Sequence, residues 1–321
     1  MKDKKYDVVA LGELLIDFTM NGESTQGNPL FEANPGGAPC NVLAMLQKLG
    51  KKTAFIGKVG NDMFGTLLAE RVKNTGIHLS GLVKDEKVHT TLAFVQTYAD
   101  GDRDFSFYRN PGADMMLRED EVAEDLIRDA KIFHFGTLSM TDDAVEAATR
   151  RAIAVAQESG CILSFDPNLR PPLWSSMEKA KEKIAYGLSV CDILKISDNE
   201  IEFMTGTTDI DAGIQQLQQK YQIPLVFATL GKEGSRAYYK DMTVEVAGFA
   251  NTNTIETTGA GDTFCASELN YVLEHGMDNL TQDDLRELLT FANGAASLIT
   301  TRKGALSVMP EKEEVLSYIS K

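Results

Sequence analysis

The stretch that decides the fold is residues 255–266, which reads I-E-T-T-G-A-G-D-T-F-C-A. Two glycines flank one small residue in Gly259-Ala260-Gly261, so the backbone can adopt dihedral angles that are closed to residues with a Cβ atom, and its N–H groups can converge on one point. Apolar residues recur at helical spacing after Asp262, which predicts a helix that begins at the glycines. Because the first N–H groups and the positive dipole end of a helix attract anions, the stretch predicts a phosphate site.

Asp262 stands in the first turn of this predicted helix, where a carboxylate would occupy or repel the same anion site. One interpretation is an acidic residue that only complements the helix dipole. The other is a general base beside a phosphoryl group, which takes the proton from an attacking hydroxyl. A Gly-Ala-Gly-Asp sequence alone is weak support for the second interpretation, so the rest of the chain has to decide.

The composition limits the partners that we expect. The 321 residues include 32 Lys and Arg against 47 Asp and Glu, and the net charge of -15 opposes binding to nucleic acid and to anionic membranes. The four cysteines are far apart without a C-x-x-C pair, which predicts reduced core thiols and no structural zinc site. Charged residues interrupt the first apolar run, so we expect no signal peptide or membrane span and a cytoplasmic protein.

Buried strands and amphipathic helices alternate along most of the chain, which predicts an α/β fold with a parallel sheet. The first strand is predicted at residues 6–16, and Asp17 follows directly after it. Because ligands bind at the carboxyl ends of strands in such sheets, Asp17 is a candidate ligand-binding residue. A glycine-rich turn at residues 34–41 then leads into a helix over 42–49. Further strands are predicted at 53–59, 131–135, 161–165, 193–196 and 225–229, an antiparallel pair at 235–239 and 243–246, and further helices at 62–75, 119–129, 142–159, 177–190, 199–204, 211–221, 282–300 and near the C-terminus.

Two strands break the alternation at residues 90–98 and 104–109. The Asp-Gly sequence between them, in residues 99–102, is typical of a hairpin turn. A hairpin inserted in an α/β chain is often a lid, and we assign lid segments at about 13–36 and 88–112. With no repeat, low-complexity tract or flexible linker, residues 1–321 are predicted to form a single domain with this small lid.

The phosphate site lacks both standard nucleotide fingerprints. There is no G-x-x-x-x-G-K-[ST], and no G-x-G-x-x-G opens a helix in the N-terminal βαβ unit, so neither a P-loop NTPase nor a dinucleotide dehydrogenase is supported. Transfer of a phosphoryl group to a hydroxyl needs a base, a polar pocket and a means of excluding water. Asp262 could supply the base, Asp17 with Asn41 the polar pocket, and the hairpin lid the exclusion of water.

Five short motifs follow one another along the chain. They are G-G-A-P-C-N at 36–41, Y-R-N-P-G-A-D at 108–114, F-D-P-N-L-R-P-P-L-W at 165–174, K-I-S at 195–197 and E-T-T-G-A-G-D at 256–262. In this order they resemble motifs of the carbohydrate kinases of the ribokinase (PfkB) family, most closely the fructokinases, over nearly the whole chain. The resemblance implies a ribokinase-like three-layer αβα core with a mainly parallel sheet and a small β lid. It also implies ATP and Mg²⁺, and in many members a monovalent cation such as K⁺.

The resemblance assigns the sugar site to a set of polar and small residues. A carboxylate and an amide can each bind a diol, and glycines allow the backbone to approach the sugar. The alternatives are a solvated loop aspartate, a plain turn, a helix cap at Asn41, and arginines that are ordinary surface charges. The implied sugar-site residues are Asp17, Gly36, Gly37, Asn41, Arg109 and Arg170.

The nucleotide and metal sites are likewise implied by the resemblance. Glu200 corresponds to the glutamate that orders magnesium through water, although Ser197 replaces the family's asparagine three residues before it. Glu256, where members usually carry aspartate, and Thr258 would belong to a monovalent-cation site that the loop at 300–305 completes. Asn293 and Gly294 would lie near adenine, although an Ala/Gly-rich helix stretch is usually a packing contact. The implied nucleotide-site residues are Lys195, Thr229, Gly231, Gly234, Asn293 and Gly294.

The resemblance, above all that of residues 108–114 to fructokinases, implies a kinase that phosphorylates D-fructose at O6. Asp262 is the expected general base, and the amides of Gly259, Ala260 and Gly261 form the expected anion hole. A 2-keto-3-deoxygluconate kinase is the main alternative, because a sugar acid would suit two arginines, and other PfkB sugar kinases remain open. A sugar-binding regulator without catalysis ranks lower, because it would need neither Asp262 nor a nucleotide site. An exposed lid sheet could also pair with its twin in a homodimer.

Overall fold

A central sheet of nine strands and a smaller sheet of four organise the part of the chain that the computed structural model describes, residues 4–97 and 103–320. The strands are β1 (Tyr6–Leu11), β2 (Leu15–Glu23), β3 (Pro29–Gly36), β4 (Thr53–Gly60), β5 (His78–Asp85), β6 (Leu92–Thr97), β7 (Arg103–Tyr108), β8 (Ala130–Gly136), β9 (Ile162–Asp166), β10 (Ile193–Ser197), β11 (Leu225–Thr229), β12 (Gly234–Tyr239) and β13 (Met242–Ala247).

The large sheet has the order β13-β12-β11-β10-β9-β8-β1-β4-β5. Its strands from β11 to β5 run parallel, and β12 and β13 continue it antiparallel. All eight residues of β4 are buried, because a parallel strand is covered on both faces. The predicted α/β class with a mainly parallel sheet is confirmed.

Helices cover both faces of this sheet. One hydrophobic core lies between the sheet and α1, α2, α8, α9 and α10, and a second lies between the sheet and α3 to α7. This gives the three layers that the resemblance implied. The helices are α1 (Ala38–Lys48), α2 (Met63–Asn74), α3 (Glu124–Arg128), α4 (Asp143–Glu158), α5 (Met177–Val190), α6 (Asp198–Thr205), α7 (Ile210–Tyr221), α8 (Ala260–His275), α9 (Gln282–Ile299) and α10 (Lys312–Ile319).

The smaller sheet has the order β3-β2-β6-β7 and is built from the two segments that were assigned to the lid. β6 and β7 pair antiparallel, as predicted for the inserted hairpin. The predicted turn at residues 99–102 lies outside the described residues. β2 also pairs with β6 in parallel, which joins the two lid segments into one sheet.

Two predicted elements differ from the structure, and two of its strands, β3 and β5, were not predicted. The strand predicted at 6–16 is two strands in different sheets, β1 and β2, because the crossover between them is buried and therefore as apolar as the strands. The helix predicted at 119–129 is a 3₁₀ turn at Glu119–Glu121 followed by the short α3. β5 was not predicted, since this edge strand is half exposed and carries polar residues, and its pairing with β4 defines it.

All four cysteines are free and buried, as expected of core thiols. Within residues 4–97 and 103–320, no helix is long and apolar enough to cross a membrane. The same residues contain no group of three or more His, Cys, Asp or Glu side chains that could hold a metal ion.

Candidate active site

The glycine stretch forms the start of α8, as its sequence predicts. Gly259 is the N-cap residue and has φ 78°, a left-handed conformation that favours glycine. The N–H groups in the first turn of a helix have no acceptor within the helix. In α8, the N–H group of Ala260 lies 3.3 Å from the carbonyl oxygen of Thr257, which precedes the helix. The first turn therefore offers backbone donors next to the carboxylate of Asp262.

Two cavities meet at this first turn. One of about 780 Å³ lies over the β10–β13 side of the sheet, and one of about 600 Å³ lies between the large sheet and the small one. We call them the nucleotide-side cavity and the sugar-side cavity. Four residues line both and mark the junction: Lys195, Ser197, Thr257 and Gly261.

Asp262 lines the sugar-side cavity and is 9% exposed. Its Oδ2 atom accepts a 2.8 Å hydrogen bond from Nδ2 of Asn41 on α1. Burial raises the pKa of Asp262 to about 6, while the Asn41 hydrogen bond and the charges of Lys195 and Arg170 oppose the rise. A carboxylate with this pKa is largely ionised at neutral pH and still accepts a proton readily, which suits a general base.

Asn41 is not a helix cap, since it lies inside α1 and its side chain bonds to Asp262. Asp17 lies on β2 in the same cavity, and burial raises the pKa of its carboxyl group to about 7 against the opposing charge of Arg170. Gly36, Gly37 and Arg170 also line the cavity. Five of the six residues assigned to sugar binding are thus together.

Arg109, the sixth, is not among the described residues that line the cavity. It is buried and bonds internally: Nε donates to Asp114 at 2.8 Å, Nη1 to Oγ1 of Thr141 at 2.8 Å, and Nη2 to the carbonyl oxygen of Leu138 at 2.9 Å. These three partners occupy N–H groups of the guanidinium. Leu138 lines the cavity, so Arg109 supports the cavity wall through its hydrogen bond to Leu138. The structure thus places Arg109 behind the described cavity wall, and its role at the sugar stays a prediction.

Glu13 is a cavity residue that the sequence did not reveal. It lies in the buried crossover between β1 and β2, and Oε1 accepts a 2.8 Å hydrogen bond from the N–H group of Ala38 at the start of α1. Burial raises the pKa of Glu13 to about 7. The signal for Glu13 in the sequence was a carboxylate within an otherwise apolar run of residues.

The nucleotide-side cavity is lined by most of the residues assigned to it: Lys195, Thr229, Gly231, Gly234 and Asn293. The amide of Asn293 is committed to the protein, because Oδ1 accepts from Ser235 at 2.9 Å and Nδ2 donates to the carbonyl oxygen of Val246 at 3.0 Å. Gly294 does not line the cavity; a Cβ atom there would lie 2.2 Å from Cγ2 of Ile319. Gly294 is therefore a packing contact between α9 and α10, and its place near adenine stays a prediction.

Lys195 holds a charge at the junction of the cavities. Its Nζ atom is 3.1 Å from Oδ2 of Asp166 and would lie 3.1 Å from a Cβ atom placed on Gly261. Burial alone would lower the pKa of Lys195, but the charges of Asp166 and Glu200 raise it above its ordinary value. Lys195 is therefore a permanent cation beside the first turn of α8.

Glu200 lines the sugar-side cavity close to this junction. Oε1 accepts from the N–H group of Leu169 at 2.8 Å, and Oε2 accepts from the N–H and hydroxyl groups of Ser197, each at 2.9 Å. A carboxylate has about four acceptor positions, so little capacity remains for direct coordination. The arrangement fits a Mg²⁺ ion that takes its ligands mainly from phosphates and water, with Glu200 reached through water.

Glu256 and Thr258 line the sugar-side cavity beside the turn at Gly259–Gly261, which we call the anion turn. Oε1 of Glu256 accepts a 2.7 Å hydrogen bond from the N–H group of Gly304, and the N–H group of Ile255 donates to the carbonyl oxygen of Thr300 at 2.8 Å. The loop at 300–305 therefore packs against the segment before the anion turn, as the proposed cation site requires.

Comparisons with known proteins agree with this architecture. Residues 5–312 match the family described as pfkB family carbohydrate kinase. The chain is 41% identical over 319 residues to a probable fructokinase-2 of Arabidopsis thaliana, covering 99% of this chain and 97% of the relative. A fructokinase of Xylella fastidiosa with bound ATP superposes with a TM-score of 0.87 at 33% identity, covering 98% of both chains. A double mutant of a Vibrio cholerae fructokinase, bound to fructose, ADP and potassium ion, gives a TM-score of 0.87 at 29% identity, covering 99% of this chain and 100% of that one.

Proposed function

The chain belongs to the pfkB family of carbohydrate kinases, and on that premise we propose that it is a fructokinase that transfers the γ-phosphoryl group of ATP to O6 of D-fructose. The observation that carries the proposal is the position of Asp262, a buried carboxylate at the wall of the sugar-side cavity and in the first turn of the helix that faces both cavities. The fructokinase relatives support the choice of sugar.

In the proposed reaction, Asp262 accepts the proton of the sugar hydroxyl as its oxygen attacks the γ-phosphorus in line. The N–H groups of the Gly259–Gly261 turn and the ammonium of Lys195 stabilise negative charge on the phosphoryl group. Closure of the small sheet over the sugar excludes water, which would otherwise compete as the acceptor.

Mg²⁺, when bound, would neutralise negative charge at the phosphates. Glu200 would hold it through water, consistent with the three hydrogen bonds that fix this carboxylate. The fructokinase of Xylella fastidiosa was determined with bound ATP, which supports ATP as the phosphoryl donor.

The electrostatics of the sugar-side cavity favour a neutral sugar over a sugar acid. Among the described residues, five carboxyl groups line it, those of Glu13, Asp17, Glu200, Glu256 and Asp262, against the two cations Arg170 and Lys195. Glu13 and Asp17, each with a pKa of about 7, are partly ionised at neutral pH. Because Arg109 is bound internally, it is not available to a substrate carboxylate. A 2-keto-3-deoxygluconate molecule would bring a further negative charge into this cavity, which opposes its binding.

We also propose a monovalent-cation site at Glu256 and Thr258. The loop at 300–305 packs beside them, and the Vibrio cholerae relative was crystallised with potassium ion. Since Glu256 also bonds to Gly304, we infer that K⁺ activates the enzyme less than it would with the shorter aspartate.

A homodimer through the lid is the proposed assembly. In the described part of the chain, three exposed large hydrophobic side chains share one face of the small sheet: Met20, Phe31 and Tyr108. A second copy of the same sheet would cover them in a self-complementary contact, and large apolar patches are rare on monomers. Sedimentation at micromolar concentration should give a dimer for the parent and a monomer for Phe31→Lys, while Leu316→Lys on α10 should remain a dimer; a monomeric parent would exclude this assembly.

The test of function is a coupled assay of ADP formation with D-fructose, D-ribose, D-glucose and 2-keto-3-deoxygluconate. We expect the highest kcat/KM for D-fructose. Asp262→Asn should bind ATP and sugar but lose roughly 10² to 10⁴ in rate, the usual contribution of a general base. A variant within a few-fold of the parent would remove Asp262 from the mechanism, and binding of sugar without turnover by the parent would favour the regulator instead.

A further inference from the structure

A column of buried polar side chains lies beneath the junction of the two cavities, between α8 and the large sheet. Gly261, Cys265 and Glu268 share one face of α8 because they are spaced by four and three residues. This face meets the sheet: Lys195 on β10 is next to Gly261, and Nδ1 of His134 on β8 is 4.0 Å from Sγ of Cys265. Glu268 is thus directed toward the strands that carry the Lys195–Asp166 pair.

The strands contribute their polar groups to the same face of the sheet. His134 is paired in register with Ser164, and the two side chains are joined at 2.9 Å. Asp166 follows Ser164 by two residues and so points the same way. Asp166 in turn holds Lys195, whose ammonium reaches the junction.

Glu268 is the unexplained member of this column. It is 0% exposed, and neither of its carboxyl oxygens has a hydrogen-bond partner. Oδ2 of Asp166 also accepts no hydrogen bond of good geometry, although it lies 3.1 Å from Nζ of Lys195. Both carboxyl oxygens of Glu268 and Oδ2 of Asp166 are thus buried without a hydrogen-bond donor, although unmatched polar groups are rare in protein interiors.

We propose that Glu268 is a positioning residue for Lys195: it remains a neutral carboxylic acid, and its hydroxyl donates to Asp166 through one buried water, so that Asp166 holds the Lys195 ammonium at the cavity junction. The inference rests on the proposed role of Lys195 at the phosphates. It assigns no chemical step to Glu268, which touches neither cavity.

The charges around Glu268 favour the neutral form. Burial raises the pKa of Glu268 well above its ordinary value, and the negative charge of Asp166 raises it further, while the charge of Lys195 and the neighbouring Cys265 thiol oppose the rise. His134 adds no charge, because burial and Lys195 lower its pKa to about 3. Of the helices packed on α8, α1 directs Asn41 to Asp262, and α9 directs Asp284 to the hydroxyl of Tyr271.

The first test is the pH dependence of unfolding for the parent and Glu268→Gln. A group whose pKa is raised on folding contributes stability that is lost as the pH rises from its unfolded pKa toward its folded pKa. The unfolding constant of the parent, divided by that of Glu268→Gln, should therefore rise about tenfold per pH unit above about pH 5. A ratio that does not change with pH would show that Glu268 ionises normally, and the proposal would fail.

The second test is the affinity for a non-hydrolysable ATP analogue with Mg²⁺, measured by calorimetry without sugar. Glu268→Gln keeps a donor for Asp166 and should bind within about twofold of the parent, whereas Glu268→Met, of similar length without a donor, should bind about five- to tenfold more weakly, the loss expected for one hydrogen bond. The control is Asn270→Leu, another polar-to-apolar change on α8, which should bind like the parent. Equal affinity of Glu268→Met and the parent would contradict the positioning role.

Neither measurement requires a sugar, so both remain valid if D-fructose is not the substrate. If the parent binds no ATP analogue at all, the proposed kinase function fails and the calorimetric comparison contradicts the role of Lys195. The unfolding series still determines whether Glu268 is neutral.

Discussion

The amide of Asn41 donates a 2.8 Å hydrogen bond to the carboxylate of Asp262, joining α1 to α8 across 221 residues of sequence. Asn41 belongs to the glycine motif at 36–41, and Asp262 belongs to the glycine motif at 256–262. The bond orients the carboxylate toward the sugar-side cavity and also stabilises its ionised form. Both effects are needed in a general base, because it must point at the hydroxyl and be free of its own proton.

Asn41→Ala should therefore shift the pH dependence of kcat. Loss of the hydrogen bond removes an effect that lowers the pKa of Asp262, so the acid limb, expected near the pKa of about 6 in the parent, should move to higher pH. The measurement is kcat at saturating substrates from about pH 5 to about pH 8. Asn34→Ala is the matched control, since Asn34 lines the same cavity but bonds to Thr19. An acid limb at the same pH in Asn41→Ala and the parent would refute the coupling.

Asp262→Asn should be more stable than the parent at neutral pH. The pKa of Asp262 rises on folding from 3.8 to about 6, so the stability that this group contributes at low pH is lost as the pH increases between these values. At one pKa unit per 1.36 kcal/mol, the variant should gain about 3 kcal/mol near pH 7 and about none near pH 4. Urea denaturation at both values checks this, and a gain that is independent of pH would mean that packing, not ionisation, explains it.

Arg109 and Arg170 should respond differently to replacement by alanine. Arg109→Ala leaves Asp114 buried without its partner, which should cost about 3 to 5 kcal/mol of unfolding free energy. Arg170 is exposed at the cavity, so Arg170→Ala should change stability by less than about 0.5 kcal/mol and raise KM for the sugar. Denaturation of both variants gives the change in unfolding free energy, and steady-state kinetics gives KM for the sugar. The opposite pattern would return Arg109 to the sugar site.

Glu256→Asp should strengthen activation by K⁺. The shorter side chain loses the bond to Gly304 and places its oxygens differently beside the anion turn. KCl is titrated at constant ionic strength against tetramethylammonium chloride, with the exposed Glu245→Asp as control. If Glu256→Asp and the parent respond identically, Glu256 has no part in a cation site.

Much of the fold could be predicted from the sequence because its signals are local. Strands buried on both faces are continuously apolar, and helices begin and end at capping residues, so the β/α alternation and the helix at Gly259 follow from short windows. The same signal hid the break after β1, because the crossover through Glu13 is itself buried. β5 was missed because its definition is its pairing with β4, which is not a local property.

The site could be predicted only in part, because a sequence does not tell which donors are already satisfied. Arg109 and Asn293 have the chemistry of ligand-binding residues, yet both bond within the protein. Gly294 packs against α10, which brings residues from the end of the chain to α9. Glu268 lies in a helix whose residues from Asp262 to Val272 are all buried, so periodicity gave no sign that a charge-bearing residue faces the sheet.

The most direct test of the central claim is a competition reaction with equal concentrations of D-fructose, D-ribose, D-glucose and 2-keto-3-deoxygluconate and limiting ATP with Mg²⁺. Product ratios then report the ratios of kcat/KM directly. Carbon-13 and phosphorus-31 NMR identify each product and the phosphorylated oxygen. The account predicts fructose 6-phosphate as the main product of the parent and none from Asp262→Asn in the same time. A main product from another sugar, or phosphate on a different oxygen of fructose, would contradict it.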